Sequence, residues 1–363
     1  MRADAPLTSQ RMSMRVLRRT PLRALVLGGT CAVMTAGAVS TGLAADAGRS
    51  GARAGSITLY SGQHEQTVSK LAADFEKRTG VHVAVRSADE ATLANQIIQE
   101  GSRSPADVFF AENPPALQAL AERKLLAPVT AATLKVVPRG DSSPSGSWVA
   151  VSARSAVLVY NTGKIKPAAL PSSLLDLASP KWNGKVAIAP GETDFQPLVT
   201  SIAQLRGTSA ATAWLNALKR NAKVYDDNEL IVAAVNKGAV LTGLVDHYYW
   251  YRLRDEVGPS HTKSAIHYFA PRDPGMLVDV SGAAILQSSK HAADARRFLA
   301  YLVGKPAQTI IATSESYEYP LRPGVTNTKI DRPLGDIVPA KVSATQLGDG
   351  KAALEMLQQV GLL

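Results

Sequence analysis

Short β-forming runs alternate with amphipathic helical patterns from residue 56 onward, and this alternation restricts the fold more than any other feature of the chain. Residues 57–60 form a β run, and the apolar residues of 68–75 then recur at the spacing of one helix face. Gly80 ends that helix, and 81–85 is the next β run. A strand–helix–strand order favours a parallel sheet covered by helices, so we predict an α/β fold.

The alternation continues to the end of the chain and includes two unusually long β runs, at 148–161 and 276–287. The chain has 363 residues, which is enough for two packed lobes. We predict that the two long runs cross between such lobes.

The first 44 residues differ from the rest of the chain in composition. A basic stretch, MRVLRRTPLR, precedes an apolar run of small residues, which is typical of a secretory signal. We predict cleavage after Ala44 and export to the periplasm or the cell surface, by the general or the twin-arginine route. An uncleaved anchor and a lipid tether at Cys31 are the alternatives.

The formal charge of +10 does not indicate a nucleic-acid partner. Residues 1–44 contain six arginines and one aspartate, so their removal would halve the net charge. No basic block is interleaved with aromatic residues, as nucleic-acid-binding surfaces often are. Cleavage would also remove the single cysteine, which excludes a disulfide in the mature chain. We expect a monomer.

Polar side chains follow three of the predicted strands at the point where each strand ends. His64 and Glu112 follow two early strands, and the adjacent Tyr248 and Tyr249 follow a late one, in a helix that Asp246 is expected to cap. Ligands of open α/β sheets bind beyond the carboxyl ends of strands, so we expect these side chains to meet. Taken singly, each also fits a structural role, as a loop residue, a helix-dipole charge or a core aromatic.

One imidazole, one carboxylate and two phenols form a set of donors that suits a hard trivalent cation. Tyrosine titrates near pH 10, so it is a poor ligand for ordinary divalent metals. A trivalent cation displaces the phenolic proton, because a bound ion favours the charged form of its ligands. Zinc favours His and Cys, and calcium favours more carboxylates and carbonyls. The set therefore predicts ferric iron.

Two other functions remain open from the residues alone. The first is a binding protein for another ligand, either a chelated iron complex or a small organic cation that would stack on the YYWY aromatics. An acid–base enzyme using His64 with Glu65 or Glu112 is the other alternative, but the chain contains no HExxH motif, nucleophile elbow or phosphate loop. We expect a binding protein and not an enzyme. Trp250 and Tyr251 are expected to pack behind the site.

The segments LYSGQHEQ, PADVFFAENP, SPKWNGKV, HYYWYRL and EYPLRPGV together resemble the bacterial periplasmic ferric-ion-binding proteins, the substrate-binding components of iron(III) ABC transporters. The resemblance covers about 56–363 and implies a two-lobed periplasmic-binding-protein clamp of type II with two β-strand hinge crossovers. It implies an ABC permease as partner and Fe³⁺ as the transported ligand, held by His64, Glu112, Tyr248 and Tyr249. The implied lobes are 56–155 with 280–330, and 156–279 with 331–363.

The chain departs from this family where relatives hold a synergistic anion, commonly phosphate or carbonate. The matching loop, APGETDF, contains Glu192 and Asp194; Asn228 matches one asparagine of the family, but Asp246 stands at the other. Because carboxylates repel phosphate, we predict that Asp194 or Glu192 supplies an oxygen ligand, or that carbonate binds with help from Arg154. Alternatively, Asp194 only caps the helix that follows it.

Overall fold

A computed structural model describes residues 55–138 and 140–363, so the predicted signal segment 1–44 and Cys31 lie outside the described residues. Strands and helices alternate as predicted. The strands are β1 Ser56–Ser61, β2 His82–Ser87, β3 Val108–Ala111, β4 Leu126–Ala127, β5 Val149–Asn161, β6 Val186–Ile188, β7 Ala222–Val224, β8 Thr242–Asp246, β9 Ser264–His267, β10 Val278–Leu286 and β11 Tyr319–Pro320. The helices are α1 Glu65–Thr79, α2 Glu90–Glu100, α3 Pro114–Glu122, α4 Ala131–Leu134, α5 Phe195–Arg206, α6 Thr208–Asn221, α7 Asn228–Lys237, α8 His247–Val257, α9 Ala292–Leu302, α10 Lys305–Thr313 and α11 Lys351–Val360. Across this part of the chain, no helix has the length and apolar character needed to span a membrane.

Strand β5 belongs to two halves of the sheet, and all of its 13 residues are buried. Its first part, up to Ser155, pairs antiparallel with β10, and its second part, from Ala156, pairs antiparallel with β8 and β9. The first half of the sheet has the order β2-β1-β3-β10-β5, and the second has the order β5-β8-β6-β7. The first predicted crossing therefore falls inside one strand, between Ser155 and Ala156.

The return crossing lies just before β10 and not within it. Strand β9 pairs with the second part of β5, whereas β10 pairs with the first part, so the chain changes sides between His267 and Val278. In that segment Asp273 Oδ1 accepts from the Gly275 N–H at 2.8 Å, which closes a turn, and the Leu277 carbonyl accepts from the Ala156 N–H at 3.0 Å. A Pro-Gly turn cannot continue a strand, so β10, the strand within the predicted run 276–287, begins only after the crossing.

The apolar packing forms two cores, a larger one that extends from the first half into α7 and α8 and a smaller one within the second half. Around β1, β3 and β10 the core contains Phe75, Phe109 and Phe298. Around α5 and α6 a second core contains Phe195 and Trp214, whose rings stack with 5.9 Å between centroids. Helix α11 packs its apolar face into this second core. The arrangement is the predicted two-lobed α/β fold, and the lobe boundaries near 156, 280 and 331 stay a prediction.

Candidate metal site

The four predicted metal ligands lie at the carboxyl ends of three strands. His64 follows β1 and immediately precedes α1, and Glu112 follows β3, which pairs parallel to β1. Tyr248 and Tyr249 lie in the first turn of α8, which begins directly after β8. Because β1 and β3 belong to one half of the sheet and β8 to the other, these side chains face each other between the two halves.

His64 and Tyr248 meet at one oxygen atom of Glu112, and Tyr249 lies beside Tyr248. The His64 Nε2 lies 3.2 Å from Glu112 Oε1, and the Tyr248 hydroxyl donates to the same oxygen at 2.8 Å. The Tyr248 ring meets His64 edge-on, with 4.9 Å between centroids, and lies beside Tyr249 with 4.3 Å between centroids. The structure therefore brings all four predicted residues together.

Asp194 joins the two phenols to a single carboxylate oxygen. Its Oδ2 accepts from Tyr248 at 3.1 Å and from Tyr249 at 3.0 Å. The side-chain amides of Asn113 and Asn228 also donate to Asp194, at 3.3 and 3.4 Å. Asp194 occupies the N-cap position of α5, but its side chain makes no capping bond. The alternative in which Asp194 only caps the helix is therefore wrong.

Glu192 lies at the mouth of the site and hydrogen-bonds to neither phenol. It lines an open cavity of about 380 Å³ that reaches Glu112 and also includes Glu65 and Asp89. Burial, and then the charge of nearby Asp194, raise the pKa of Glu192 to about 7. Of the two acidic residues in the loop, Asp194 is thus the one that reaches the phenols.

Asp246 and Arg154 are paired with each other and do not touch the phenols. Arg154 is fully buried, with its nitrogens 3.5 Å from Asp246, 3.8 Å from Asp279 and 3.9 Å from Glu318. Arg154 also donates to the side-chain carbonyl of Asn113. Asp246 precedes α8, as predicted, but it makes no capping bond, because its carboxylate faces the guanidinium. The expected cap is therefore wrong.

Burial sets the protonation of the convergent groups. It raises the pKa of Tyr248 and of Tyr249 well above the ordinary value, and the charges of Asp194 and Glu112 raise it further. Without a cation both phenols are therefore protonated and donate to carboxylates. Burial, and then the charge of Arg252, lower the pKa of His64, so its imidazole is neutral. Its buried Nε2 makes no hydrogen bond among the described residues and lies beside Glu112, so this nitrogen can bind a metal in the tautomer that protonates Nδ1.

Trp250 and Tyr251 point away from the convergent groups, as predicted. The Tyr251 hydroxyl accepts from the Asp331 N–H at 2.9 Å. The rings of Trp250 and Tyr251 are buried against one another, with 4.9 Å between centroids. They support α8 from behind.

Sequence reasoning missed several buried polar residues around the site. Glu90 accepts from the backbone and side-chain amides of Asn113, at 2.8 and 2.9 Å. Glu318 accepts from Gln63 at 3.2 Å and comes within 4.8 Å of the metal-binding atoms of His64 and Glu112. Gln63 and Glu318 lie in SGQHE and EYPLRPGV, so proximity to those segments was an available signal. No sequence signal pointed to Glu90, because only the fold brings Glu90 next to Asn113.

Sequence comparisons identify similar proteins over most of the chain. The family model described as bacterial extracellular solute-binding protein matches residues 57–314. The Fe(3+)-binding periplasmic protein of Serratia marcescens is 40% identical over 307 residues, which cover 85% of this chain and 90% of the relative. The major ferric iron-binding protein of Neisseria meningitidis is 38% identical over 309 residues, which cover 84% of this chain and 93% of the relative.

Solved structures share the fold. Iron-bound HitA from Pseudomonas aeruginosa matches with a TM-score of 0.81 and 38% identity, covering 85% of this chain and 99% of HitA. A Trichodesmium protein in complex with iron and citrate matches with a TM-score of 0.75 and 28% identity, covering 85% of this chain and 99% of its own. The Actinobacillus pleuropneumoniae protein AfuA, with fructose-6-phosphate bound, has a TM-score of 0.71 at 16% identity, which shows a common fold only.

Proposed function

The chain belongs to the bacterial extracellular solute-binding proteins, and from this premise we propose that it captures ferric iron between its two lobes and delivers it to an ABC permease. The observation that carries the proposal is the pair of adjacent phenols on α8, whose oxygens meet two carboxylates within 3.1 Å. The Serratia and Neisseria relatives are named for the same ion. We place the protein outside the cytoplasm, as a monomer, with the lobes 56–155 plus 280–330 and 156–279 plus 331–363.

The proposed ligands are His64, Glu112, Tyr248 and Tyr249, with Asp194 as a fifth. Two phenolates and the Glu112 carboxylate balance the three charges of Fe³⁺. Asp194 then adds the negative oxygen that an exogenous anion would otherwise supply, and Asn113 and Asn228 orient it. We infer that iron binds without phosphate, because further negative charge beside Asp194 and Glu112 would be repelled.

Binding exchanges the phenolic protons for the cation. In the metal-free protein the hydroxyl protons of Tyr248 and Tyr249 satisfy Asp194 and Glu112. A ferric ion that enters from the open cavity replaces both protons, which leave to solvent through the same opening. Opening of the lobes, return of the protons, or reduction of the iron reverses the step, because each weakens the phenolate bonds.

The geometry does not favour an organic cation. The aromatic face that would stack on such a ligand is already covered by the protein's own Arg252, whose guanidinium lies 4.5 Å from the Tyr248 centroid and 5.8 Å from that of Tyr249. Both tyrosine rings are also buried. We therefore propose binding and transport of the ion, without turnover of a substrate.

A visible spectrum tests the proposal. Residues 45–363 are purified, stripped of metal and titrated with ferric iron supplied from a weak chelator. We expect one equivalent to produce a tyrosinate charge-transfer band, which Tyr248→Phe and Tyr249→Phe each abolish or weaken. Tyr251→Phe is the matched control, because it removes a phenol from the same helix that faces Asp331. A colourless wild-type protein, or a band that survives both site variants, would refute phenolate binding of iron.

A further inference from the structure

His247 is held in one orientation directly before the two tyrosines of α8. The residue is fully buried, and its Nδ1 accepts from the backbone N–H of Ser155 at 3.2 Å. A backbone N–H can only donate, so the ring proton lies on Nε2, which donates to the Tyr317 carbonyl at 2.9 Å. The ring also stacks on Tyr319, with 4.7 Å between centroids. Both nitrogens and one face of the imidazole are therefore occupied.

The two bonding partners of His247 lie on the far side of the crossing. Ser155 is the last residue of β5 that pairs with β10, and the next residue already pairs with β8. Tyr317 follows α10, in the segment that leads to β11. His247 therefore connects the helix of one half to the crossing strand and to a turn of the other half.

The turn at Tyr317 has an uncommon backbone conformation that α8 helps to hold. Tyr317 has a φ of 56°, in the left-handed region that aromatic residues rarely adopt. Its buried ring stacks on Tyr251 of α8, with 5.3 Å between centroids. Arg252, also on α8, donates to the Glu315 carbonyl at 3.2 Å, and His247 donates to the carbonyl of Tyr317 itself. Three side chains of one helix thus fix this turn.

The turn continues to the other side of the metal site. Glu318 follows Tyr317 directly and accepts from the side-chain amide of Gln63 at 3.2 Å. The Gln63 side-chain carbonyl in turn accepts from the His64 N–H at 2.7 Å. A continuous path of bonds therefore runs from His247, beside the tyrosines, to His64, on the opposite side of the site.

We propose that His247 is a positioning residue that sets the tyrosines of α8 relative to His64, through its Nε2 bond to the Tyr317 turn. The proposal rests on the proposed binding of iron at these side chains. His247 does not touch the ion; it fixes the residues that do. Contacts behind metal ligands change metal affinity by about 10- to 100-fold, so an effect of this kind is measurable although no ligand is removed.

Three substitutions separate the two bonds of the ring. His247→Gln keeps an amide N–H near the Nε2 position, and His247→Asn keeps an amide oxygen near Nδ1, whereas His247→Ala keeps neither. We expect the Ala and Asn variants to lose iron to a competing chelator about tenfold faster, with a shifted charge-transfer band, and Gln to restore both. His267→Ala is the matched control. His267, on β9, also donates to a backbone carbonyl, that of Pro171, at 2.8 Å.

Hydrogen exchange of the metal-free protein gives a second readout that does not depend on iron. The path of bonds from His247 to His64 predicts faster exchange of the His64 amide in His247→Ala and His247→Asn. It predicts wild-type exchange in His247→Gln and in the His267→Ala control. If Asn restores the protection of the His64 amide and Gln does not, the bond between Ser155 of β5 and Nδ1 of His247 positions the tyrosines, and the proposal is overturned. Wild-type exchange in all variants overturns it too. A wild-type protein without a charge-transfer band would instead refute the proposed function, while the exchange data would still decide the role of His247.

Discussion

Two buried polar clusters lie side by side between the halves of the molecule, and they balance charge in different ways. In the first cluster, carboxylate oxygens accept hydrogen bonds from phenols, and no cationic side chain among the described residues bonds to them. In the second, Arg154 faces three carboxylates within 3.9 Å. The tyrosine cluster is His64, Glu112, Asp194, Tyr248 and Tyr249, and the arginine cluster is Arg154, Asp246, Asp279 and Glu318.

The difference indicates which cluster needs an external ion. The arginine cluster contains its own cation, so its function is to hold the crossing strand and the neighbouring segments in place. The tyrosine cluster offers several oxygens that become anionic only when a cation replaces protons. Substitutions in the arginine cluster should therefore change stability most, and substitutions in the tyrosine cluster should change iron binding most.

The largest expected effect is on stability, from Arg154→Met. This change leaves three buried carboxylates without their cation, which costs roughly 3–5 kcal/mol when one partner of a buried pair is removed. Urea unfolding of the metal-free protein measures the loss. Arg297→Met is the control, because exposed Arg297 pairs with Asp294 on the surface and should cost at most about 1 kcal/mol. If Arg154→Met and the control variant lose the same stability, the proposed difference between the two clusters is wrong.

The next effect is on iron affinity, from Tyr248→Phe. Removal of a direct ligand should cost more than the roughly 100-fold that outer contacts cost, and competition with a chelator of known affinity measures it. Tyr249→Phe should lose less, because Tyr248 contacts both Glu112 and Asp194, whereas Tyr249 contacts only Asp194. An unchanged affinity in Tyr248→Phe would place iron outside the tyrosine cluster.

Asp194→Asn tests whether the protein supplies the ligand that an anion would otherwise provide. Asn keeps a neutral oxygen near the ion, so we expect a smaller loss of affinity than in Tyr248→Phe, about 10- to 100-fold. Added carbonate should partly restore the affinity, because the neutral amide no longer repels an anion. Asp246→Asn is the matched control in the arginine cluster and should change affinity much less. If phosphate or carbonate is already required by the wild-type protein, the assignment of Asp194 as a ligand is wrong.

The smallest effect is the pH dependence of metal-free stability. Burial, and then the charge of Glu112, raise the pKa of Glu90 to about 8. The folded state then holds this proton more tightly than the unfolded state, so stability is full near pH 4 and falls as pH rises toward 8. Glu90 is buried, so the fall reflects the cost of deprotonating its carboxyl in the folded protein. Glu90→Gln should make the fall shallower, while Glu192, whose pKa is also raised, still contributes. A wild-type curve that rises over this range would contradict the raised pKa.

The tyrosine cluster was largely predictable from the sequence, because each member follows a strand. Strand ends and helix starts are local signals, and a parallel sheet brings them to one edge. His64, Glu112 and the tyrosine pair were identified in this way. The choice between Glu192 and Asp194 was not predictable, because it depends on the direction of two side chains in one loop.

The arginine cluster was much harder to predict, because its members come from four distant segments. Arg154 was named as a residue that helps carbonate bind and Asp246 as a helix cap, and neither was named as a partner of the other. Asp279 was missed because it lies inside β10, and Glu318 was missed although it lies in the segment EYPLRPGV. Charge pairing across a hinge depends on tertiary packing that no local pattern encodes.

The most direct test of the central claim is a crystal structure of the protein with ferric iron, with anomalous data collected at the iron edge. We expect one iron peak bonded to the oxygens of Tyr248 and Tyr249, with Glu112, His64 and a carboxylate oxygen of Asp194 completing the site, and no anion between iron and Asp194. An iron peak away from the phenols, or one in which an exogenous anion takes the place of Asp194, would contradict it.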